Sequence, residues 1–351
     1  MEKHTTEMVA RHLRGNGLNT VVEYDRGATD DDLPGRSRMA VAPKTALLIG
    51  CGGTIGGAWI VAVLHALAEQ TGLEPAEADI LQGTSAGAEI VTMLGGGAGI
   101  ADLVAMHRGQ ASDPRLRRHI EDTPRGYPPI PQPRLLNPAL ARAESGLTAL
   151  AGVAPTGRAD AGWLQRLADS FHGEGQWLAH PGARMVAYDF RRGQRVVFGG
   201  TGSPKASAGE ALRASWAIPG WMPPVTIGDS EYVDGGAAST ASVDLVGPDD
   251  AEIVYVIAPM ASAPGVAAPG LGGVLEYRLL RHPMSSRLHA EIAAARAGGQ
   301  RVVPILPTTD DLAGLGANFM NRSRRRAAFE AAMTTAPDTV RRALADHQIV
   351  A

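Results

Sequence analysis

The chain has 351 residues, 44% hydrophobic and 20% charged, enough apolar content for a large core and too much for a disordered chain. Its 33 basic and 36 acidic residues leave a net charge of −3, which argues against a dedicated nucleic-acid binder. The lone cysteine, Cys51, excludes an intrachain disulfide framework and a multi-cysteine metal site.

Residues 1–44 read as an N-terminal extension. They carry Asp30-Asp31-Asp32 and Pro34-Gly35 and lack the apolar core of a secretory signal, which with the single cysteine favours a cytoplasmic protein. From Thr45 to Ala68 there is no Asp, Glu, Lys or Arg, a span long enough for a membrane. Gly50, Gly52, Gly53, Gly56 and Gly57 interrupt it and would weaken a spanning helix. The better division is a strand (Thr45–Ile49), a glycine loop (Gly50–Gly57) and a helix (Ala58–Ala68). A second short strand, Asp79–Gln82, then runs into Gly83-Thr84-Ser85-Ala86-Gly87 and an apolar helix to about Leu94. Two strand–helix units in succession predict a mostly parallel sheet with helices on its faces.

Between Arg108 and Pro138, seven prolines argue against long regular elements, and six arginines fall in the same stretch. It reads as an insertion, about 108–140, either a solvated loop or a lid. Arg184–Phe190 and Gln194–Gly199 form a hairpin around Arg191-Arg192-Gly193. Ser207–Trp216 reads as a helix stopped by Pro219-Gly220, and Val225–Ile227 pairs with Glu231–Val233. Glu252–Ile257 and Arg301–Leu306 read as buried strands, with a helix over Pro283–Ala297 between them. The division is then an extension (1–44), a main domain (45–330) and a helical tail (331–351), with Arg322, Arg324, Arg325 and Arg326 on a solvated or membrane-facing helical face.

Three segments carry chemistry. In Gly83-x-Ser85-x-Gly87 a strand-to-helix turn lifts a serine out of the backbone, the two glycines letting the chains cross closely. A serine hydroxyl needs a base and a cradle for the anion it creates, and the N-terminus of the following helix offers unpaired N–H groups. The loop Gly50-Cys51-Gly52-Gly53-Thr54-Ile55-Gly56-Gly57 is either a dinucleotide phosphate loop or an oxyanion hole. Gln82-Gly83-Thr84-Ser85 stands where a dinucleotide fold carries its acidic ribose ligand, which favours the oxyanion hole. Asp234-Gly235-Gly236 follows a short strand and is either a turn or a catalytic carboxylate at a strand end.

Together these segments resemble the patatin-like phospholipases, bacterial serine lipid acyl hydrolases. The matching blocks are Leu47 to Gly56, Gly83 to Gly87, Ser215-Trp216-Ala217-Ile218-Pro219-Gly220 and Tyr232 to Gly236, in the family's order. The resemblance implies a three-layer α/β/α sandwich with a mostly parallel sheet, and a Ser–Asp dyad without a catalytic histidine. Ser85 would be the nucleophile and Asp234 the base. Gly52, Gly53 and the N–H of Ala86 would form the oxyanion hole, with Ile55, Trp216 and Pro219 at the substrate pocket. Gly50, Gly56, Gly83, Gly87, Gly235 and Gly236 are its motif glycines. No cofactor or metal is implied, and the partner is an acyl-ester or lipid substrate, with peripheral membrane contact left open.

The chain departs from the family's pattern at Ile55, where a basic residue is common, and at Cys51, where glycine is frequent. Ile55 therefore predicts a preference for neutral acyl esters over anionic phospholipids, and Cys51 reads as a small buried hydrophobe. A Ser–His–Asp triad would need His282, His289 or His347, and His65 reads as structural. An acyltransferase or thioesterase could use the same acyl-enzyme, and a non-catalytic acyl-chain binder is a more distant alternative.

Overall fold

The computed structural model describes residues 43–124, 129–135, 146–316 and 318–348. The extension and its aspartate cluster fall outside these residues apart from positions 43 and 44, as do Arg125 and part of the proline-rich insertion.

The chain opens with β1 (Thr45–Ile49), α1 (Gly53–Thr71), β2 (Ile80–Thr84) and α2 (Ala86–Gly95), followed by α3 (Ile100–Arg108), α4 (Pro114–Asp122), β3 (Gln132–Leu135) and α5 (Gly146–Val153). Then come β4 (Pro155–Thr156), α6 (Gly162–His172), the hairpin β5 (Ala183–Asp189) and β6 (Gln194–Phe198), and α7 (Ala208–Ser215). The remainder is β7 (Val225–Ile227), β8 (Ser230–Asp234), β9 (Ile253–Ile257), α8 (Gly270–Glu276), α9 (His282–Ala297), β10 (Arg301–Ile305), α10 (Thr309–Leu315) and α11 (Arg325–Asp346).

The main sheet has eight strands in the order β10-β9-β1-β2-β5-β8-β7, with β6 on β5. Pairing is parallel from β10 to β5 and antiparallel for β6, β7 and β8. Burial on both faces explains why β1 and β9 read as unbroken apolar runs. Leu47 and Ile49 face a core built with α1, α2 and α11, while Ala46 and Leu48 face Leu288 and Ile292 of α9. The result is the expected three-layer sandwich.

One pairing positions the site. On β5, Val186 pairs with Thr84 of β2, and the next residue, Ala187, pairs with Asp234 of β8. The other edge of β5 is taken by β6 over Met185–Asp189. So β2 and β8 share one edge of β5 and meet there, each presenting its C-terminal end.

Three boundaries differ from the sequence reading. α1 starts at Gly53, not Ala58: Gly56 lies against Pro259, where a Cβ would come within 3.1 Å of Cγ, so packing outweighs the helix cost of glycine, about 1 kcal/mol per residue. The proline-rich stretch contains α4, because Pro114 occupies the first helical position, where no N–H is needed, and Asp113 caps Arg115 N–H at 2.8 Å. α11 runs across position 330 as one helix and buries Ala328, Phe329, Ala332, Ala336, Val340 and Leu344. Among the described residues no helix is long and apolar enough to cross a membrane.

Candidate active site

Ser85 sits between β2 and α2 with φ 56° and ψ −117°, a backbone state that a non-glycine residue adopts only under constraint. The constraint is visible in its neighbours. A Cβ on Gly83 would lie 2.5 Å from Gly87 C, and one on Gly87 only 1.9 Å from Ile49 O. Both contacts are with backbone, so neither position accepts a side chain. Ser85 N–H donates to Ser215 Oγ at 2.9 Å, and Ser215 Oγ–H donates to Val186 O at 2.7 Å, which ties the elbow to β5.

Asp234 closes β8 at the same point of the sheet. Its N–H donates to Ala217 O at 3.0 Å, and its Oδ1 accepts Gly236 N–H at 2.7 Å. The Ser85 side chain shares the cavity wall with its carboxylate and acts on it to lower its pKa. Asp234 is only 5% exposed. Burial lifts its pKa from 3.8 to about 7, against the opposing pull of the Ser85 side chain and the Gly236 N–H. A carboxylate whose pKa lies near neutrality therefore stands beside a serine on the same cavity wall.

The glycine loop lies beside this pair. Gly50 N–H donates to Ile257 O at 2.8 Å and Cys51 N–H to Thr240 O at 2.9 Å, which fixes its path. In the first turn of α1, Ile55 N–H goes to Phe319 O and Gly56 N–H to Gly52 O, both at 2.9 Å. The helix has no intrahelical acceptor for the earlier N–H groups. Gly53 has φ +57°, and a Cβ there would meet Phe319 and Met320 within 2.7 Å. Gly52 and Gly53 line the same cavity as Ser85 and Asp234. Ala86 is the first residue of α2, with its side chain buried.

That cavity holds about 310 Å³. Away from the serine its wall is apolar, with Ile218, Trp221, Met260, Leu280, Met284 and Phe319. Pro219 lies on the wall, but Ile55 and Trp216 do not. Because α1 begins at Gly53, Ile55 falls within its first turn and is fully buried in the core. Trp216, at the end of α7, is 1% exposed and packs edge-on to Trp163 with ring centroids 5.5 Å apart. The inference from Ile55 to head-group preference therefore loses its basis. Leu280, Met284 and Phe319 belong to no motif; single apolar residues far along the chain carry no spacing signal. Ser215 and Ile218 lie within a recognised block, which was the available clue.

The profile of the patatin-like phospholipases matches residues 47–246, more than half of the chain. The chain belongs to the patatin-like phospholipase family. Its family is one of lipid acyl hydrolases, with lipid as the substrate class. Among solved structures the chain is similar to VipD from Legionella pneumophila, at 15% identity and a TM-score of 0.41, over 87% of this chain and 67% of that one. A comparison with curated proteins finds no match.

In this patatin-like domain no His, Lys or Arg lines the Ser85 cavity among the described residues. His282 stacks edge-on against Tyr277, while His289 and His347 line a separate groove between α9 and α11. His65 is on α1 beside Glu69, 3.4 Å away. Arg115 pairs with Asp113, Arg118 lies by Asp122, and Arg108 faces Glu330. Cys51 reaches the cavity, but burial, reinforced by the Asp234 charge, pushes its thiol up to about 12, and its Sγ lies 3.3 Å from Thr240 Oγ1. A thiol held in that state is no nucleophile.

Proposed function

We propose that this chain hydrolyses carboxylic esters of lipids through an acyl-Ser85 intermediate, with Asp234 as the general base. The observation that carries this reading is a buried carboxylate with its pKa raised to about 7, beside the Ser85 side chain on one cavity wall. In the first step Asp234 takes the Ser85 proton as Oγ attacks the ester carbonyl. The N–H groups of Gly52, Gly53 and Ala86 receive the oxyanion, and the N-terminal ends of α1 and α2 favour its charge. Collapse expels the alcohol, which leaves with the proton from Asp234. Water then attacks the acyl-enzyme, giving its proton to Asp234, and the free acid departs as Ser85 is reprotonated. The apolar wall fits an acyl chain, and its lack of a cation favours an uncharged head group.

The test is turnover of aryl esters, a diacylglycerol and a phosphatidylglycerol of matched chains, with products identified. Ser85→Ala and Asp234→Asn are each expected to lose at least about a thousandfold in kcat, while His282→Ala, His289→Ala and His347→Ala stay within about threefold. The diacylglycerol is expected to have the higher specificity constant. Residual turnover within tenfold in Ser85→Ala, or one well-folded but dead histidine variant, defeats the dyad.

A further inference from the structure

The run from Gly270 to Ala297 is one continuous helix, with α8 passing through a π turn at Tyr277–Arg281 into α9. Such a turn is frequent at functional sites. Leu280 and Met284 from this run line the Ser85 cavity. Val274, Leu275 and Leu279 are instead 45%, 60% and 57% exposed, three of the six large hydrophobic residues left exposed among the described residues. A fourth, Val153, stands between Ala151 and Ala154, which are both on the cavity wall. Single exposed leucines need no explanation, but three aliphatic residues along one face of the helix that also walls a cavity do.

The charges on this run are sorted as well. Glu276 is turned inward onto Arg281, with Arg281 Nη2 2.8 Å from Glu276 Oε1 and both side chains under a tenth exposed. Arg278 and His282 are left on the outside, so the stripe formed by residues 274, 275, 278, 279 and 282 is apolar and cationic and holds no carboxylate. This composition matches an anionic lipid surface, with aliphatic groups for the acyl layer and a guanidinium for the head groups.

We infer that the exposed face of Val274, Leu275, Arg278 and Leu279 docks the protein onto the surface of an anionic lipid aggregate, against which the Ser85 cavity opens. The inference rests on the lipid-hydrolase reading of that cavity. Leucine side chains enter the acyl layer and Arg278 stays among the head groups. One helix then grips the lipid surface and walls the cavity, so an ester reaches Ser85 without crossing bulk water.

The test uses the full chain carrying Ser85→Ala, so that binding is read without turnover. It is expected to sediment with vesicles of phosphatidylcholine and phosphatidylglycerol, and more weakly with phosphatidylcholine alone. Adding Leu275→Gln and Leu279→Gln is expected to lower partitioning at least about tenfold, and Arg278→Glu to remove the dependence on phosphatidylglycerol. With Ser85 intact, the double leucine variant should keep the parent's rate on a soluble aryl ester and lose turnover of vesicle-borne diacylglycerol. Unchanged partitioning in the double variant overturns the inference, as does a dimer of the parent that the leucine substitutions dissociate. If the parent hydrolyses no soluble ester, the hydrolase reading fails, while vesicle partitioning still decides the docking. Should the double variant not fold, Leu275→Cys labelled with an environment-sensitive dye replaces it. Cys51 is buried and spares the label. A blue shift with anionic vesicles supports docking; none overturns it.

Discussion

Asp234 is held where a carboxylate is least comfortable as an anion, and this sets a pH signature. In the unfolded chain the group titrates near 3.8; in the folded chain it titrates near 7. Between these values the folded state binds the extra proton, so stability falls as pH rises through the window and levels off above about 7. A shift of roughly three units corresponds to a cost of up to about 4 kcal/mol when fully developed. Asp234→Asn cannot ionise and escapes it. The variant is expected to gain stability over the parent as pH rises from 5 to 8, by roughly 2–3 kcal/mol, while its activity is lost. Urea unfolding of both proteins at the two pH values reads this directly; a difference independent of pH would place the Asp234 pKa near its ordinary value. Ile55 makes the opposite point. Ile55→Arg would place an unpaired cation in the core behind the loop, and a loss of at least about 3 kcal/mol in urea unfolding is expected. A stable Ile55→Arg with altered head-group preference would return Ile55 to the substrate side.

The strand–turn–helix around Ser85 is legible in the sequence, because each part has a local cause: an apolar strand, two glycines where chains cross, and an apolar helix. The start of α1 is not. Local propensity favours a longer glycine loop, and only the distant Pro259 and Phe319 show why the helix begins at Gly53. α4 was hidden for a similar reason, since a proline that breaks a helix inside can also begin one. The least visible part of the elbow is Ser215, which joins Ser85 N–H to Val186 O from 130 residues away. Ser215→Ala leaves both groups buried without that partner, at about 1–3 kcal/mol. Because Ser215 holds the backbone of the proposed nucleophile and does not line the cavity, kcat should fall roughly 10- to 100-fold with KM little changed. Ser215→Thr, which keeps the hydroxyl, should recover part of it. A change confined to KM would give Ser215 a place in substrate binding instead.

Across the whole molecule, the proposed catalytic motifs lie between Gly50 and Gly236, while part of the cavity's apolar wall arrives later, from Met260, Leu280, Met284 and Phe319. The matched family region ends at residue 246, so much of the apolar wall is built by chain beyond it. α11 extends this dependence. The sequence reads 331–351 as a helical tail, yet α11 presents small and apolar residues to α1, and Gln70 Nε2 of α1 donates to Pro337 O at 2.9 Å. Phe329 is fully buried and stacks on His107 with centroids 5.1 Å apart. Removing α11 would strip the buried face of α1, whose first turn holds Gly53 beside Ser85. A chain ending at Arg324 is therefore expected to be insoluble or to lack a cooperative unfolding transition. Phe329→Ala in the full chain should lose about 3–5 kcal/mol. The truncated chain and the point variant are compared by solubility, near-ultraviolet dichroism and urea unfolding. A soluble truncated chain that unfolds cooperatively and keeps esterase activity would make α11 an appendage after all. Failure of both variants would make the last helix part of the same cooperative unit as the proposed oxyanion loop.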